Sequence, residues 1–103
     1  MGLFGLSIPE EFGGAGLNVT QYARTVHALS YAAPAFRSIF SINIGMFNSA
    51  IKNGGTDAQK SEWWPKLASG AIACFGLTEP GSGSDSAAMQ TTARPDPDGN
   101  GWI

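Results

Sequence analysis

The sequence predicts an α+β protein in which helices come first and strands follow. Three stretches between residues 18 and 70 carry apolar residues at helical spacing, each bounded by a capping residue, a glycine or a proline. Beyond Gly70 the periodicity changes, and short apolar runs alternate with Gly- and Pro-rich turns, which is typical of strands. Helices followed by strands along one chain indicate the α+β class.

The first helix is predicted over residues 19–32, after a Gly- and Pro-rich loop. Asn18 and Gln21 stand at the spacing of a capping box, which satisfies two free backbone N–H groups at a helix start. One face of this helix is apolar: Tyr22, Val26, Leu29 and Ala33. His27 lies at the flank of that face, where a lone histidine is a structural residue, and we assign it no role.

The second helix is predicted over residues 35–52, with Pro34 in its first turn, where the missing N–H costs nothing. It is apolar almost all round, which is typical of a buried central helix. Glycine capping is expected to end it at residues 53–55. Arg37 is its one charged residue before Lys52, and no acidic residue stands three or four positions away.

The third helix is predicted over residues 57–67. Thr56 and Gln59 repeat the capping-box spacing, and Asp57 suits the positive end of the helix dipole. Pro65 is expected to break or kink the helix and to begin a last turn that ends at Gly70.

The next stretch, residues 71–85, reads AIACFGLTEPGSGSD. We predict a strand over residues 72–78, ended by Glu79 and Pro80, because proline cannot donate to a sheet ladder. Asp85 is a good N-cap for a short helical run over residues 86–90, which would place Ser84 at a helix start. The pattern fits a strand edge for a flat group and a glycine loop for a phosphate, or else a strand followed by an ordinary surface turn.

The end of the chain is predicted to form a hairpin-like return. Residues 91–93 are expected to form a short strand, and the Pro-, Asp- and Gly-rich residues 95–101 a turn leading back toward Trp102.

Composition excludes several classes of function. The net charge is −2 and the basic residues are scattered, which argues against a nucleic-acid surface. No apolar run is long enough to cross a bilayer, so we expect no membrane insertion. The single Cys74 forms no internal disulfide, and one cysteine with one histidine cannot build a structural zinc site. No Lys follows the glycine loop, and Ser86 stands where a dinucleotide fingerprint needs its last glycine.

Three blocks, in this order and spacing, resemble the acyl-CoA dehydrogenase family. They are IPEEFGGAGL at residues 8–17, GTDAQK at residues 55–60 with PKLASG at residues 65–70, and CFGLTEPGSGSD at residues 74–85. The resemblance implies part of an N-terminal α-helical bundle domain, residues 1–70, followed by the beginning of an antiparallel middle β domain, residues 71–103. It also implies that the chain is an internal fragment, with further helices before Met1 and further domains after Ile103.

The resemblance implies FAD as the cofactor. Phe75, Leu77 and Thr78 match the family residues that line the isoalloxazine, and Gly83 and Ser84 match those near the pyrophosphate. The serine matching Ser84 also touches the acyl-CoA ligand in the family. The implied partners are an acyl-CoA substrate, an electron-transfer flavoprotein and further copies of the chain in a dimer or tetramer. The implied location is the bacterial cytoplasm or the mitochondrial matrix.

The implied parent reaction is α,β-dehydrogenation of an acyl-CoA thioester, with the β-hydride passing to flavin N5. The family's base glutamate lies in a later helical domain, so we expect no catalytic residue and no catalysis by this chain alone. Two alternatives stay open: an acyl-CoA oxidase of the same fold, and a non-catalytic helical module that binds a partner through its apolar helix.

Arg37 and Ser38 admit two interpretations. Glutaryl-CoA dehydrogenases carry an Arg-Ser pair in the matching helix that grips the distal carboxylate of the substrate, and Phe36-Arg37-Ser38 is similar. An Arg fork suits a carboxylate through two parallel hydrogen bonds. The other interpretation is a structural salt bridge between Arg37 and a carboxylate elsewhere.

Overall fold

The computed structural model describes residues 2–99 and 101–103. Helix α1 runs over Val19–Ala32, α2 over Pro34–Phe40, α3 over Asn48–Gly54 and α4 over Asp57–Ala68. A π-helical segment, Ser41–Phe47, joins α2 to α3 without a break, so residues 34–54 form the one long helix that the sequence predicts. Short 3₁₀ turns lie at Leu3–Gly5, Glu10–Phe12 and Ser86–Ala88. The helical part of the fold prediction is confirmed.

Both predicted capping boxes are formed. The Gln21 N–H donates to Asn18 Oδ1 at 3.0 Å, and the Asn18 N–H donates to Gln21 Oε1 at 2.9 Å. Thr56 and Gln59 make the same reciprocal pair at the start of α4, at 3.2 and 2.9 Å. These local bonds fix where α1 and α4 begin.

Two helix ends differ from the prediction. Gly55 follows α3 in an extended conformation, with φ −77° and ψ 146°, so the helix ends at the glycines without a left-handed glycine cap. Pro65 lies inside α4, which continues to Ala68. Ser61 and Pro65 are both exposed, so the carbonyl that loses its helical N–H partner lies on the solvent side of α4.

The core lies where the N-terminal loop meets α4. Ile8, Trp64 and Leu67 are its buried centre, with Ile8 only 1% exposed. The Phe12 ring packs edge-on against Trp64 at 4.9 Å between ring centroids. The loop is held on itself by backbone bonds, including the Leu17 N–H to Leu6 O at 2.7 Å and the Ala15 N–H to Gly5 O at 2.8 Å.

The long apolar helix is not buried on all sides, which corrects the prediction of a central helix. Phe36 is 52% exposed and Ile39 is 48% exposed, whereas Ile44 is buried. The N-terminal loop, α1 and α4 cover part of this helix and leave the sector around Ile39 open in the described part of the chain. Apolar periodicity predicted that this helix needs cover, but it could not say which residues supply it.

The predicted strands are absent from the described residues. Residues 71–78 follow no regular secondary structure, and residues 91–93 likewise. Only isolated bridges occur, Glu79 with Ser82 and Pro95 with Trp102. A strand exists only when another strand pairs with it, and Ile72 remains 80% exposed with no neighbouring strand. The β part of the predicted α+β fold is therefore not formed in residues 2–99 and 101–103.

The predicted turn near the C-terminal end is formed, and it reverses the direction of the chain so that residues 94 and 103 face each other. The Arg94 N–H donates to Ile103 O at 2.9 Å, and the Ile103 N–H donates to Arg94 O at 2.8 Å. Asn100, which the turn prediction includes, and Met1, the first residue of the predicted helical domain, lie outside the described residues. None of the described helices combines the length and the apolar character needed to span a membrane.

Candidate functional site

The segment with the proposed flavin contacts is held against the long helix by one side chain. The Ala73 N–H donates to Asn43 Oδ1 at 2.5 Å, and Asn43 Nδ2 donates to Ile39 O at 2.9 Å. Asn43 lies in the π-helical segment and is 5% exposed. A buried amide with both polar atoms satisfied fixes the two backbones relative to each other. Sequence reasoning missed Asn43, although an asparagine within a largely apolar helix was a visible signal.

A cleft of about 400 Å³ opens beside this contact. Its walls come from the long helix and from the segment after Gly70, and they are mostly apolar: Ile39, Ile42, Asn43, Ile72, Ala73, Cys74 and Phe75. Phe75 is the one predicted flavin residue among them, and its side chain is 38% exposed. The cleft thus joins a predicted cofactor residue to the open sector of the long helix.

Leu77 and Thr78 follow Phe75 along the exposed part of the segment. The Leu77 side chain is 37% exposed and Thr78 is also exposed, so both are accessible to a ligand. Neither lines the cleft that contains Phe75.

The glycine loop is closed by a tight turn. The Glu79 N–H donates to Ser82 O at 2.9 Å, and the Ser82 N–H donates to Glu79 O at 3.1 Å. Ser82 is buried, and its hydroxyl donates to Asp85 O at 2.6 Å. Ser82, which was not among the predicted site residues, is therefore the serine that shapes the loop.

Gly83 and Ser84 follow this turn directly and are exposed. Their backbone N–H groups donate to no acceptor in the described part of the chain. A Cβ atom added at Gly83 would meet no atom within 4 Å. The loop therefore presents free donors and an unobstructed backbone to solvent.

The Glu79 carboxylate connects the start of the loop to residues well beyond it. Its Oε2 accepts the Gln90 N–H at 2.9 Å, and its Oε1 accepts the Thr91 N–H at 3.0 Å. Hydrogen bonding from the Thr91 side chain, and then from these backbone N–H groups, holds the pKa of Glu79 below its usual value. Glu79 thus ties the turn to residues 90 and 91.

Asp85 does not cap a helix, which corrects the prediction for this residue. Its side chain makes no capping hydrogen bond, and only one 3₁₀ turn, Ser86–Ala88, follows it. The predicted helical run over residues 86–90 is not formed because the Gln90 N–H is donated to Glu79 instead of to a helical carbonyl. Ser84 therefore does not lie at the start of a helix of more than one turn.

Arg37 lies near α1. Its Nη1 donates to Ser41 Oγ at 3.4 Å, and within residues 2–99 and 101–103 it forms no ion pair with a carboxylate. The expected salt bridge is thus not formed among these residues. Burial raises the pKa of Tyr22, and the positive charge of Arg37 offsets only part of that rise.

The structure does not bring Arg37 and Ser38 into the cleft beside Phe75, since neither is among its lining residues. Successive residues of an α-helix are rotated by about 100°, so Arg37 points roughly opposite to Ile39. Arg37 and the predicted flavin segment thus lie on different sides of the long helix, whereas Ser38 lies one helical turn before Ile42, a residue of the cleft wall.

A further cleft of about 470 Å³ lies between the N-terminal loop, α1 and the long helix, and Tyr22 and Lys52 are among its lining residues. It contains none of the residues predicted to bind flavin or substrate.

Comparison with protein families matches residues 1–71 to the acyl-CoA dehydrogenase N-terminal domain. This chain belongs to the acyl-CoA dehydrogenase family. It is 38% identical over 104 residues to the mitochondrial short-chain specific acyl-CoA dehydrogenase of Bos taurus, covering 100% of this chain and 25% of the relative. It is 45% identical over 100 residues to the mitochondrial very long-chain specific enzyme of Macaca fascicularis, covering 96% of this chain and 15% of that protein.

Two solved structures share the fold. A Bacillus anthracis acyl-CoA dehydrogenase complexed with FAD matches with a TM-score of 0.87 and 37% identity, over 99% of this chain and 18% of that one. A chain from the electron transferring flavoprotein structure of Acidaminococcus fermentans matches with a TM-score of 0.81 and 39% identity, over 89% of this chain and 24% of that one. The recognition from sequence is confirmed, and so is FAD as the cofactor of the family. The chain spans about a quarter of the length of the short-chain relative.

Proposed function

We propose that this chain forms one wall of the FAD and acyl-CoA site of an acyl-CoA dehydrogenase. Residues 1–70 contribute part of the N-terminal helical domain, and residues 71–103 contribute the beginning of the β domain. The observation that carries the proposal is the hydrogen bond from Ala73 to Asn43, because it fixes the Phe75 segment against the helix that would line the acyl group.

The described residues fit a bound flavin. Phe75 and Leu77 present apolar side chains that are more than a third exposed, which is what a flat ring needs for contact. Gly83 lets a pyrophosphate approach the backbone, since nothing in the chain occupies the space where a side chain would stand. Thr78 would donate to the flavin edge, and Ser84 would donate to phosphate oxygens and contact the acyl-CoA.

The parent reaction is the α,β-dehydrogenation of an acyl-CoA thioester, in which bound FAD supplies the hydride acceptor. The residues of this chain orient the two ligands and exclude water on one side of the cleft. Among the described residues, Glu62 pairs with Lys66 at 2.8 Å, and both Glu79 oxygens accept backbone N–H groups, so neither glutamate is free to act as the base. We therefore propose that the chain by itself is inactive.

The proposal extends to partners and location. An electron-transfer flavoprotein would reoxidise the flavin, which the likeness to a chain from a structure of that title supports. The longer protein would assemble as a homodimer or homotetramer. The mitochondrial relatives support a location in the mitochondrial matrix if the protein is eukaryotic. In a bacterium the corresponding location would be the cytoplasm.

The test is the flavin content of the full-length protein that carries this chain. The wild type should purify with FAD, and Gly83→Val should lower flavin occupancy because its branched Cβ would stand where the pyrophosphate meets the backbone. Gly54→Val is the matched control, since a Cβ there also meets no atom within 4 Å and the residue lies outside the proposed site. Full flavin content in Gly83→Val would contradict the assignment of the loop.

The 103-residue chain should bind FAD weakly or not at all, because it spans only about a quarter of the length of the short-chain relative and we expect other segments to complete the pocket. Tight, stoichiometric binding in a fluorescence titration would contradict this. A full-length protein that carries no flavin would favour the alternative of a non-catalytic helical module. The exposed Phe36 and Ile39 are the observation that supports this alternative. Rapid reaction of the reduced flavin with oxygen would favour an acyl-CoA oxidase.

A dicarboxylic substrate is a second candidate, favoured by a specific observation. Arg37 has no carboxylate partner in the described structure, so its guanidinium is available to a substrate carboxylate. Ser38 would add a hydroxyl donor beside it. Since Arg37 lies roughly opposite Ile39, a substrate in the Phe75 cleft would have to reach around the start of α2, or the helix would have to rotate.

Arg37→Met, assayed on glutaryl-CoA and on butyryl-CoA in the full-length enzyme, separates the two interpretations of Arg37. A selective loss on glutaryl-CoA is expected if Arg37 grips the substrate. An equal loss on both substrates, with a lower melting temperature, would make it a structural residue. Arg24→Met, which removes an exposed arginine from α1, controls for the change in charge.

A further inference from the structure

Glu79 makes hydrogen bonds at both ends of the glycine loop. Its backbone N–H and C=O pair with Ser82, which closes the turn at the start. Its carboxylate accepts the N–H groups of Gln90 and Thr91, which lie 11 and 12 residues further along the chain. One residue therefore fixes the entry of the loop and its exit relative to each other.

The Glu79 carboxylate cannot itself bind an anionic ligand. An ionised carboxylate can only accept hydrogen bonds, and it repels a phosphate. Both of its oxygens are already occupied by N–H groups of the chain. Any contribution to binding must therefore pass through the backbone that it holds.

We propose that Glu79 is a positioning residue that preorganises the glycine loop for the pyrophosphate, a role that rests on the proposed function. While the carboxylate binds residues 90 and 91, the turn closes on Ser82, and the N–H groups of the exposed Gly83 and Ser84 stay free for a ligand. A loop that is already ordered loses less conformational entropy when the ligand binds.

If Glu79 only stabilised the fold, loss of its carboxylate would lower the melting temperature of the flavin-free protein. The structure gives no reason to expect such a loss of stability. The hydrophobic core consists of Ile8, Trp64 and Leu67 with the residues packed against them, and residues 79–91 contribute none of these. Glu79 makes its side-chain bonds in an exposed loop. Loss of the carboxylate should therefore weaken FAD binding without lowering the melting temperature of the flavin-free protein.

The experiment uses the full-length protein, freed of flavin and titrated with FAD, together with the melting temperature of the apoprotein. Glu79→Ala should raise the FAD Kd about tenfold or more, because both charge-assisted bonds are lost. Glu79→Gln should lie between Glu79→Ala and the wild type, because its amide keeps one acceptor oxygen and turns an NH₂ group toward the other N–H. The melting temperature should stay within about 2 °C of the wild type in both variants.

Glu62→Ala is the matched control. It removes one exposed carboxylate of equal charge from α4, and its FAD affinity should equal that of the wild type. A wild-type Kd in Glu79→Ala, or a loss of affinity that only follows a lower apoprotein melting temperature, would overturn the positioning role alone. A wild-type protein that binds no FAD would overturn the proposed function and this role with it.

Discussion

The helices of residues 19–68 and the segment of residues 71–103 are held in place by different means. The helices satisfy their backbone groups locally, with capping boxes that join residues three positions apart. The later segment has no ladder or helix of more than one turn among its described residues. It depends on a few side chains, above all Asn43 and Glu79, that reach backbone N–H groups 11 to 30 residues away. Helices satisfy their backbone hydrogen bonds within their own segment, whereas an extended segment needs groups from other parts of the chain to satisfy its own.

Gly14 offers the strongest test of this comparison. A Cβ at Gly14 would overlap Ile8 O and lie 2.6 Å from Ile8 Cβ, so Gly14→Ala forces the N-terminal loop off the core. We expect a loss of about 3 kcal/mol in the free energy of unfolding, measured by urea denaturation. Gly81→Ala in the later segment is the control, because a Cβ there meets nothing within 4 Å, and it should change stability by less than about 0.5 kcal/mol. Equal stability of the two variants would contradict the packing of the loop.

Asn48 is the next test. Its Oδ1 accepts the Trp64 indole N–H at 2.7 Å, and its Nδ2 donates to Ser7 Oγ at 3.0 Å. Asn48→Ala leaves a buried indole N–H without a partner, so we expect a loss of about 2 kcal/mol in urea denaturation. Asn53→Ala, an exposed asparagine near the end of the same helix, should be close to neutral. A neutral Asn48→Ala would show that these contacts do not hold the helical region together.

Asn43→Ala should act on the later segment instead. It removes the acceptor of the Ala73 N–H and should cost about 1 kcal/mol. Hydrogen exchange at Ala73 should become faster, while exchange in α1 stays unchanged, because the lost bond does not touch α1. Faster exchange in both places would mean that the two regions unfold as one unit, which would remove the distinction between them.

Acidification is expected to have the smallest effect. The pKa of Glu79 is lowered in the folded chain, so its stabilisation of the loop is fully present above the ordinary carboxyl value of 4.5 and is lost as pH falls through the lowered value. The amide shifts of Gln90 and Thr91 in NMR spectra should therefore stay constant from about pH 7 to pH 5 and change only in more acidic solution. The same shifts in Glu79→Gln should not follow this titration. A transition at or above the ordinary value would contradict the two hydrogen bonds.

Much of the candidate site was visible in the sequence, but its arrangement was not. The motif around Phe75 and Gly83 indicated the family, and the structure leaves both residues accessible to a ligand. Ser82 and Asn43, which shape the loop and hold the segment, were missed because a polar residue gives no sign of its distant partner. Asp85 was expected to cap a helix, yet the competing bond from Gln90 to Glu79 prevents that helix from forming.

The sequence by itself determined the features that depend on neighbours within about four residues. These are the starts of α1 and α4, the proline start of α2 and the family motif. Tertiary structure alone decided the features that depend on residues far apart. The π-helical segment with Asn43 meets Ala73 across 30 positions, Asn48 meets Ser7 across 41, and Arg37 lies outside the cleft that contains Phe75. A capping box is closed by residues on the same turn of chain, whereas a strand or a cleft exists only when distant backbone arrives to complete it.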